Sequence, residues 1–229
     1  MNSSTIIESP YSMNFNNYDD ITIIFDCDGT LVDSEYLCNL GLTNKLQEIG
    51  IFEDANELMK KFRGWKLSNI LIKIEDYYSI KLPHDFVESY RLEVASLFDR
   101  HLQAMPYIFD ALNMLNFKKC VASSAPVTKI QHALSLCKLS AFFNENIFSS
   151  YVVGSWKPDP NLFIYAAKEM CSKRENCIVV EDSDLGILAA KNAGMKSIYF
   201  NPNNIKIDTE FTSEITCIKQ LPDVVKTLI

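Results

Sequence analysis

The stretch Ile21-Thr22-Ile23-Ile24-Phe25-Asp26-Cys27-Asp28-Gly29-Thr30 constrains this chain most, because a nearly unbroken apolar run ends abruptly in two carboxylates and a glycine. A short segment that is apolar on both faces suits a strand of a parallel sheet covered by helices on each side. In such sheets ligands sit beyond the carboxyl ends of the strands. Asp26 and Asp28 are therefore delivered to the place where binding or chemistry occurs. Acids after a strand also form turns or cap helices, so the rest of the chain has to decide between these roles.

From Ser34 onward the period changes to helical. Asp33 or Ser34 is placed to cap a helix carrying Leu37, Leu40, Leu46 and Ile49, with Gly50 as its stop. Leu58, Met59 and Phe62, then Leu67, Ile70, Leu71 and Ile74, then Phe86, Val87, Tyr90, Val94, Leu97 and Phe98 continue the pattern. About four helices in succession exceed an ordinary crossover between parallel strands. The organisation expected is a core of residues 21–35 and 103–229, a helical cap of residues 36–102, and a loose tail of residues 1–20.

The strand pattern then resumes. Phe117 to Ala122 runs into Ser123-Ser124-Ala125-Pro126, which opens a helix through Ile130, Leu134 and Cys137. Asn146 to Ser150 reads as a short strand, followed by Trp156-Lys157-Pro158-Asp159-Pro160, in which Asp159 caps and Pro160 opens another helix. Cys177 to Val180 is again apolar and ends in Glu181-Asp182-Ser183, before a helix whose Gly186, Ala189, Ala190 and Ala193 permit close packing. Lys196 to Phe200 is a last clear strand, with a closing helix over 221–229. The fold class expected is α/β, a Rossmann-like doubly wound parallel sheet carrying an inserted helical cap.

Bulk properties exclude several classes. The 229 residues, 48% of them hydrophobic, can bury a substantial core, and a net charge of −7 without a basic cluster argues against nucleic acid as a partner. Seven cysteines without a C-x-x-C pair suit reduced thiols in the cytoplasm, and three dispersed histidines make no zinc pattern. His84, His101 and His132 have no evident partner and read as packing or surface residues. The first twenty residues do not resemble a secretory signal, and no run is long and apolar enough for a membrane partner.

Four strand ends thus present, in order, Asp26 and Asp28, Ser123, Lys157 from the loop after the third strand, and Glu181 with Asp182. The segments DCDGT, VASSA, WKPDP and EDSDLGILAAKNAGM resemble the four motifs of the haloacid dehalogenase-like phosphatase superfamily, over residues 21 to about 200. The resemblance implies an aspartate nucleophile at Asp26 and an acid/base at Asp28. It further implies a Mg2+ site from Asp26, Asp28 through its carbonyl, Glu181 and Asp182, and phosphate contacts from Ser123, Ser124 and Lys157. The loop of Arg63, Gly64 and Trp65 resembles the substrate-facing loop of small helical caps, so Arg63 is expected to meet a polar or acidic substrate group. YRLEVASLFD, WKPDPNLFIYAAKEM and ENCIVVEDS are similar to sugar-phosphate phosphatases near β-phosphoglucomutase, the 6-phosphogluconate phosphatase group among them.

The expected activity is hydrolysis of a small-molecule phosphate ester, a phosphorylated sugar or sugar acid, by a monomer or weak dimer. Glu181-Asp182 in place of an Asp-Asp pair is associated with the mutase-like branch, which keeps a sugar-phosphate mutase as the alternative. A mutase also needs a second phosphate site, for which Arg63 with Lys66 or Lys73 are the nearby cations. A catalytically degenerate binding protein on the same scaffold is the reading of a different class. Asp28 speaks against both a dehalogenase and a phosphonate-cleaving relative.

Overall fold

Strand β1 (Thr22–Phe25) is fully buried and lies at the centre of the sheet. The computed structural model describes residues 20–229, so the expected tail, Asp20 apart, lies outside the described residues. On one side of β1 come β2 (Lys118–Ser123) and β3 (Ile147–Ser149), and on the other β4 (Cys177–Glu181), β5 (Lys196–Phe200) and β6 (Ser213–Ile215). The order is β3-β2-β1-β4-β5-β6 and every pairing is parallel. Because the chain fills one flank and then crosses to the other, β1 and β4 meet where the winding reverses, the usual place for a ligand.

The apolar runs alternate between two faces with the two-residue period of a strand. Ile23, Phe25, Val121, Ile178, Val180 and Ile198 share one cluster with α5 (Ile108–Met114), α6 (Val127–Leu136) and α11 (Leu221–Leu228). Ile24, Cys120, Ala122, Cys177 and Val179 face α9 (Asn161–Glu169) and α10 (Asp184–Asn192), where Ala166, Ala167, Ala189 and Ala190 keep the helices close. Two single-turn helices, α7 (Ser140–Phe143) and α8 (Ser150–Val153), flank β3.

Between β1 and α5 lie the four helices expected from the periodicity, α1 (Glu35–Glu48), α2 (Ala55–Phe62), α3 (Leu67–Tyr78) and α4 (Phe86–His101). Leu42, Leu46, Ile51, Leu58, Phe62, Leu71, Ile74 and Phe86 form an apolar cluster of their own. The bundle is also tied to the sheet by packing, since Leu37 of α1 and Val94 and Phe98 of α4 belong to the cluster that contains Phe25 and Ile130. No described helix is long and apolar enough to cross a membrane.

Some local expectations shift. Ser34 precedes α1 but makes no capping bond. Its hydroxyl donates to Asp28 at 2.5 Å instead. Pro126 and Pro160 stand one residue before their helices, and Asp159 accepts from the Asn161 amide at 2.8 Å.

Candidate active site

Parallel register builds the floor of the site. Phe25 lies opposite Val180, and the Asp26 amide donates to the Val180 carbonyl at 3.0 Å, so Asp26 and Glu181 leave adjacent strands side by side. Lys157 lies between them, its Nζ 2.5 Å from Asp26 Oδ1 and 2.6 Å from Glu181 Oε1. All three side chains are buried. Glu181 is fixed further by the Ser183 amide and hydroxyl, at 2.8 and 2.9 Å. Gly186 makes room for it, since a Cβ there would stand 1.9 Å from the Glu181 carboxyl carbon.

Burial pushes Asp26 well above the ordinary carboxylate range; Lys157 opposes that rise, and the charges of Glu181 and Asp182 add to it. Asp182 is raised to about 6 by burial and Glu181, against the pull of Arg63. Burial would lower Lys157, but Asp26 and Glu181 raise it, so the ammonium stays charged.

Asp28 is held differently. Lys129 Nζ meets both of its oxygens at 2.8 Å, and Ser34 supplies the third bond. Burial acts to raise Asp28, but these partners outweigh it and hold the carboxylate below its usual range. Ser123 is buried, accepts from the Ala125 amide at 3.1 Å, and with Ser124 lines the cavity above the sheet edge.

That cavity has a volume of about 460 Å3 and is walled by Asp26, Asp28, Ser123, Lys157, Glu181 and Asp182 below and by α1, α3 and α4 above. Gly64 and Trp65 line it as well. Gly64 adopts φ +74°, and a Cβ on it would come within 2.9 Å of Ser183 Cβ, so glycine lets this loop approach the floor. Arg63, from the same loop, donates to Asp182 Oδ2 through Nε at 3.1 Å and Nη2 at 2.7 Å. Lys66 lines the cavity, whereas Lys73 is exposed outside it.

Several lining residues escaped the sequence reading: Lys129, Glu35, Arg91, Tyr151 and His132. His132 also has a partner, Asp99 at 2.8 Å. A signal existed for Lys129, because a lysine in the first turn of α6 opposes the helix dipole and needs a local reason. Glu35 gave none, since an acid in a first turn is ordinary; here burial, with Asp182 and Asp28 nearby, raises it to about 8.

The expected metal ligands are each held by a cation, and among the described residues no three histidine, cysteine or acidic side chains are grouped as around an ion. Their chemistry nevertheless fits Mg2+. Asp26, Asp28, Glu35, Glu181 and Asp182 outnumber Lys157, Arg63 and Lys129, all the acids offer hard oxygen ligands, and the charges of neighbouring acids help raise Asp26, Glu35 and Asp182, an excess of negative charge that a dication relieves.

Comparison with known proteins agrees with this architecture. The chain is 38% identical over 207 residues to the 6-phosphogluconate phosphatase of Escherichia coli, covering 89% of this chain and 94% of that protein. A conserved haloacid dehalogenase-like protein of unknown function from Agrobacterium tumefaciens superposes with a TM-score of 0.79 at 28% identity, over 92% of this chain and 99% of that one. A Bacillus subtilis HAD-hydrolase solved bound to magnesium shares the fold at 18% identity, with a TM-score of 0.71 over 91% of this chain and 99% of its own. The model of the family "Haloacid dehalogenase-like hydrolase" matches residues 23–200, and the chain belongs to that family.

Proposed function

We propose that this enzyme is a Mg2+-dependent phosphomonoesterase that hydrolyses a small phosphorylated sugar or sugar acid through an aspartyl-phosphate on Asp26, with 6-phosphogluconate the leading candidate. The observation that carries this reading is the Asp26 carboxylate at the end of the central strand, anchored through Oδ1 by Lys157 while no hydrogen bond engages Oδ2 among the described residues. Residues 36–102 act in this reading as a cap over the sheet edge.

A phosphate monoester dianion repels an attacking carboxylate unless cations neutralise both. Lys157 supplies one such charge, while Asp26, the Asp28 carbonyl, Glu181 and Asp182 are the groups that would hold Mg2+. When bound, Mg2+ would neutralise charge on the transferring phosphoryl group. Asp26 Oδ2 attacks phosphorus as the bond from phosphorus to the ester oxygen breaks, and Asp28 protonates the departing alkoxide. For that step Asp28 first takes up a proton from solvent as the entering ester displaces Lys129, and it regains one from the attacking water at the end of each cycle. Asp28 then removes a proton from water, which attacks the phosphoryl group and restores Asp26. Ser123 and nearby backbone amides hold the remaining phosphate oxygens.

The test is Mg2+-dependent hydrolysis of p-nitrophenyl phosphate, with Asp26→Asn expected to reduce turnover by roughly a thousandfold or more. Near wild-type turnover in that variant would exclude the covalent route. Supplying 6-phosphogluconate, and separately β-glucose 1-phosphate with a bisphosphate activator, then decides between hydrolysis and mutase chemistry. Rapid glucose 6-phosphate formation with little free phosphate would establish the mutase.

A further inference from the structure

We infer that the mouth of the cavity is a carboxylate subsite, in which Lys66 and Arg91 hold the acid end of a phosphorylated sugar acid while its phosphate lies on the floor. This assignment rests on the phosphatase reading and narrows its substrate class.

The cations in and beside the cavity fall into two groups. Lys157, Arg63 and Lys129 are each spent on floor carboxylates. Among the described residues Lys66 and Arg91 meet no carboxylate and rest on aromatic rings instead. Lys66 Nζ stands 3.4 Å from the centre of the Trp156 ring. Arg91 Cζ stands 5.6 Å from that of Tyr151, and its Nη2 donates to the Tyr151 hydroxyl at 3.4 Å. The two rings pack edge to face with centroids 5.4 Å apart, so one aromatic pair gathers a cation from the start of α3 and another from α4. Lys66, Arg91 and Tyr151 all line the cavity.

Two cations collected in this way repel each other, and an anion between them relieves the repulsion. A carboxylate matches the guanidinium fork and accepts from the ammonium as well. A neutral sugar end gains neither interaction. With Mg2+ and Lys157 the floor favours the dianionic phosphate over a monoanionic carboxylate, while Lys66 and Arg91 receive the carboxylate, so the two ends of the cavity fix the direction in which the substrate lies. His132 adds no free charge, being tied to Asp99. Two partly hydrated cations suit a monoanion better than a second phosphate.

The experiment compares kcat/KM for 6-phosphogluconate with that for glucose 6-phosphate, which has the same phosphate and chain length but no carboxylate. Taking the ratio within one preparation cancels the folded fraction. The wild type should favour the acid by about tenfold or more, the Lys66→Gln/Arg91→Gln double variant should lose that preference mainly through KM, and Arg91→Lys, which keeps the charge but not the fork, should keep only part of it. A wild-type preference that survives in the double variant overturns the subsite and leaves the sugar-acid reading standing. No wild-type preference overturns both. A larger gain for glucose 1,6-bisphosphate, lost in the double variant, shows that the mouth takes phosphate and overturns the carboxylate assignment.

Discussion

At the floor of the cavity, Asp26 and Glu181 extend from neighbouring strands in fixed register and share one buried lysine, whereas at the mouth Lys66, Arg91, Tyr151 and Trp156 come from three separated segments and meet only through their side chains. Adjacent strands are spaced by their own hydrogen bonds, at about 4.8 Å, so the positions of floor residues follow from the backbone. The mouth depends on how α3 and α4 settle over the loop after β3. The contrast teaches that the reacting groups are preorganised by the sheet while selectivity is entrusted to a junction that can readjust.

The severest way to break the floor is Lys157→Met. It leaves Asp26 and Glu181 buried without their cation, and removing one member of a buried ion pair costs about 3–5 kcal/mol. Urea denaturation in metal-free buffer should show a loss of that order, with turnover reduced roughly a hundredfold or more. A loss below about 1 kcal/mol would mean that the acids protonate readily and that the floor is far softer than its geometry implies.

Arg63 joins the two regions, since it reaches from the loop between α2 and α3 to Asp182. Its guanidinium occupies an oxygen that Mg2+ is expected to use, so Arg63→Ala should tighten Mg2+ binding by a few fold, read by titration calorimetry. A weaker affinity would reverse the relation and make Arg63 a support for the metal site.

The sequence announced the floor because its parts sit at the ends of apolar runs, where strand position alone implies proximity. The same logic made β1, β2, β4 and β5 readable, since each is buried over most of its length. Strand β6 and helix α5 escaped it: Ser213-Glu214-Ile215 offers a single apolar residue and α5 only about two turns, whereas β3, as short as β6, is marked by the apolar pair Ile147-Phe148. The Arg63 contact with Asp182 had no signal in the sequence, because the target of a loop depends on the docking of whole helices. Arg91 and Tyr151 carried no local signal; their meeting is set by α4 and the start of α8 lying across one cavity.

The smallest effect is expected at Glu35, which lines the cavity and feels the floor acids through charge. Its carboxyl is raised to about 8 by burial and by the charges of Asp182 and Asp28. An unfolded glutamate titrates near 4.3, so between about pH 4.5 and 8 the folded protein retains a proton that the unfolded chain has released. Fewer protons on the unfolded chain mean that stability falls as pH rises through this window, and the contribution is fully present only below it. Glu35→Gln cannot ionise and should remove that slope. In metal-free buffer the variant should gain on the order of 1 kcal/mol relative to wild type between pH 5 and 8, a size reduced by the partial solvent access of the group. Denaturation midpoints at several pH values would measure it. Parallel wild-type and variant curves would show that Glu35 is ionised throughout, screened from the floor acids by Arg63 and Lys129, and that the acid excess is confined to Asp26, Glu181 and Asp182.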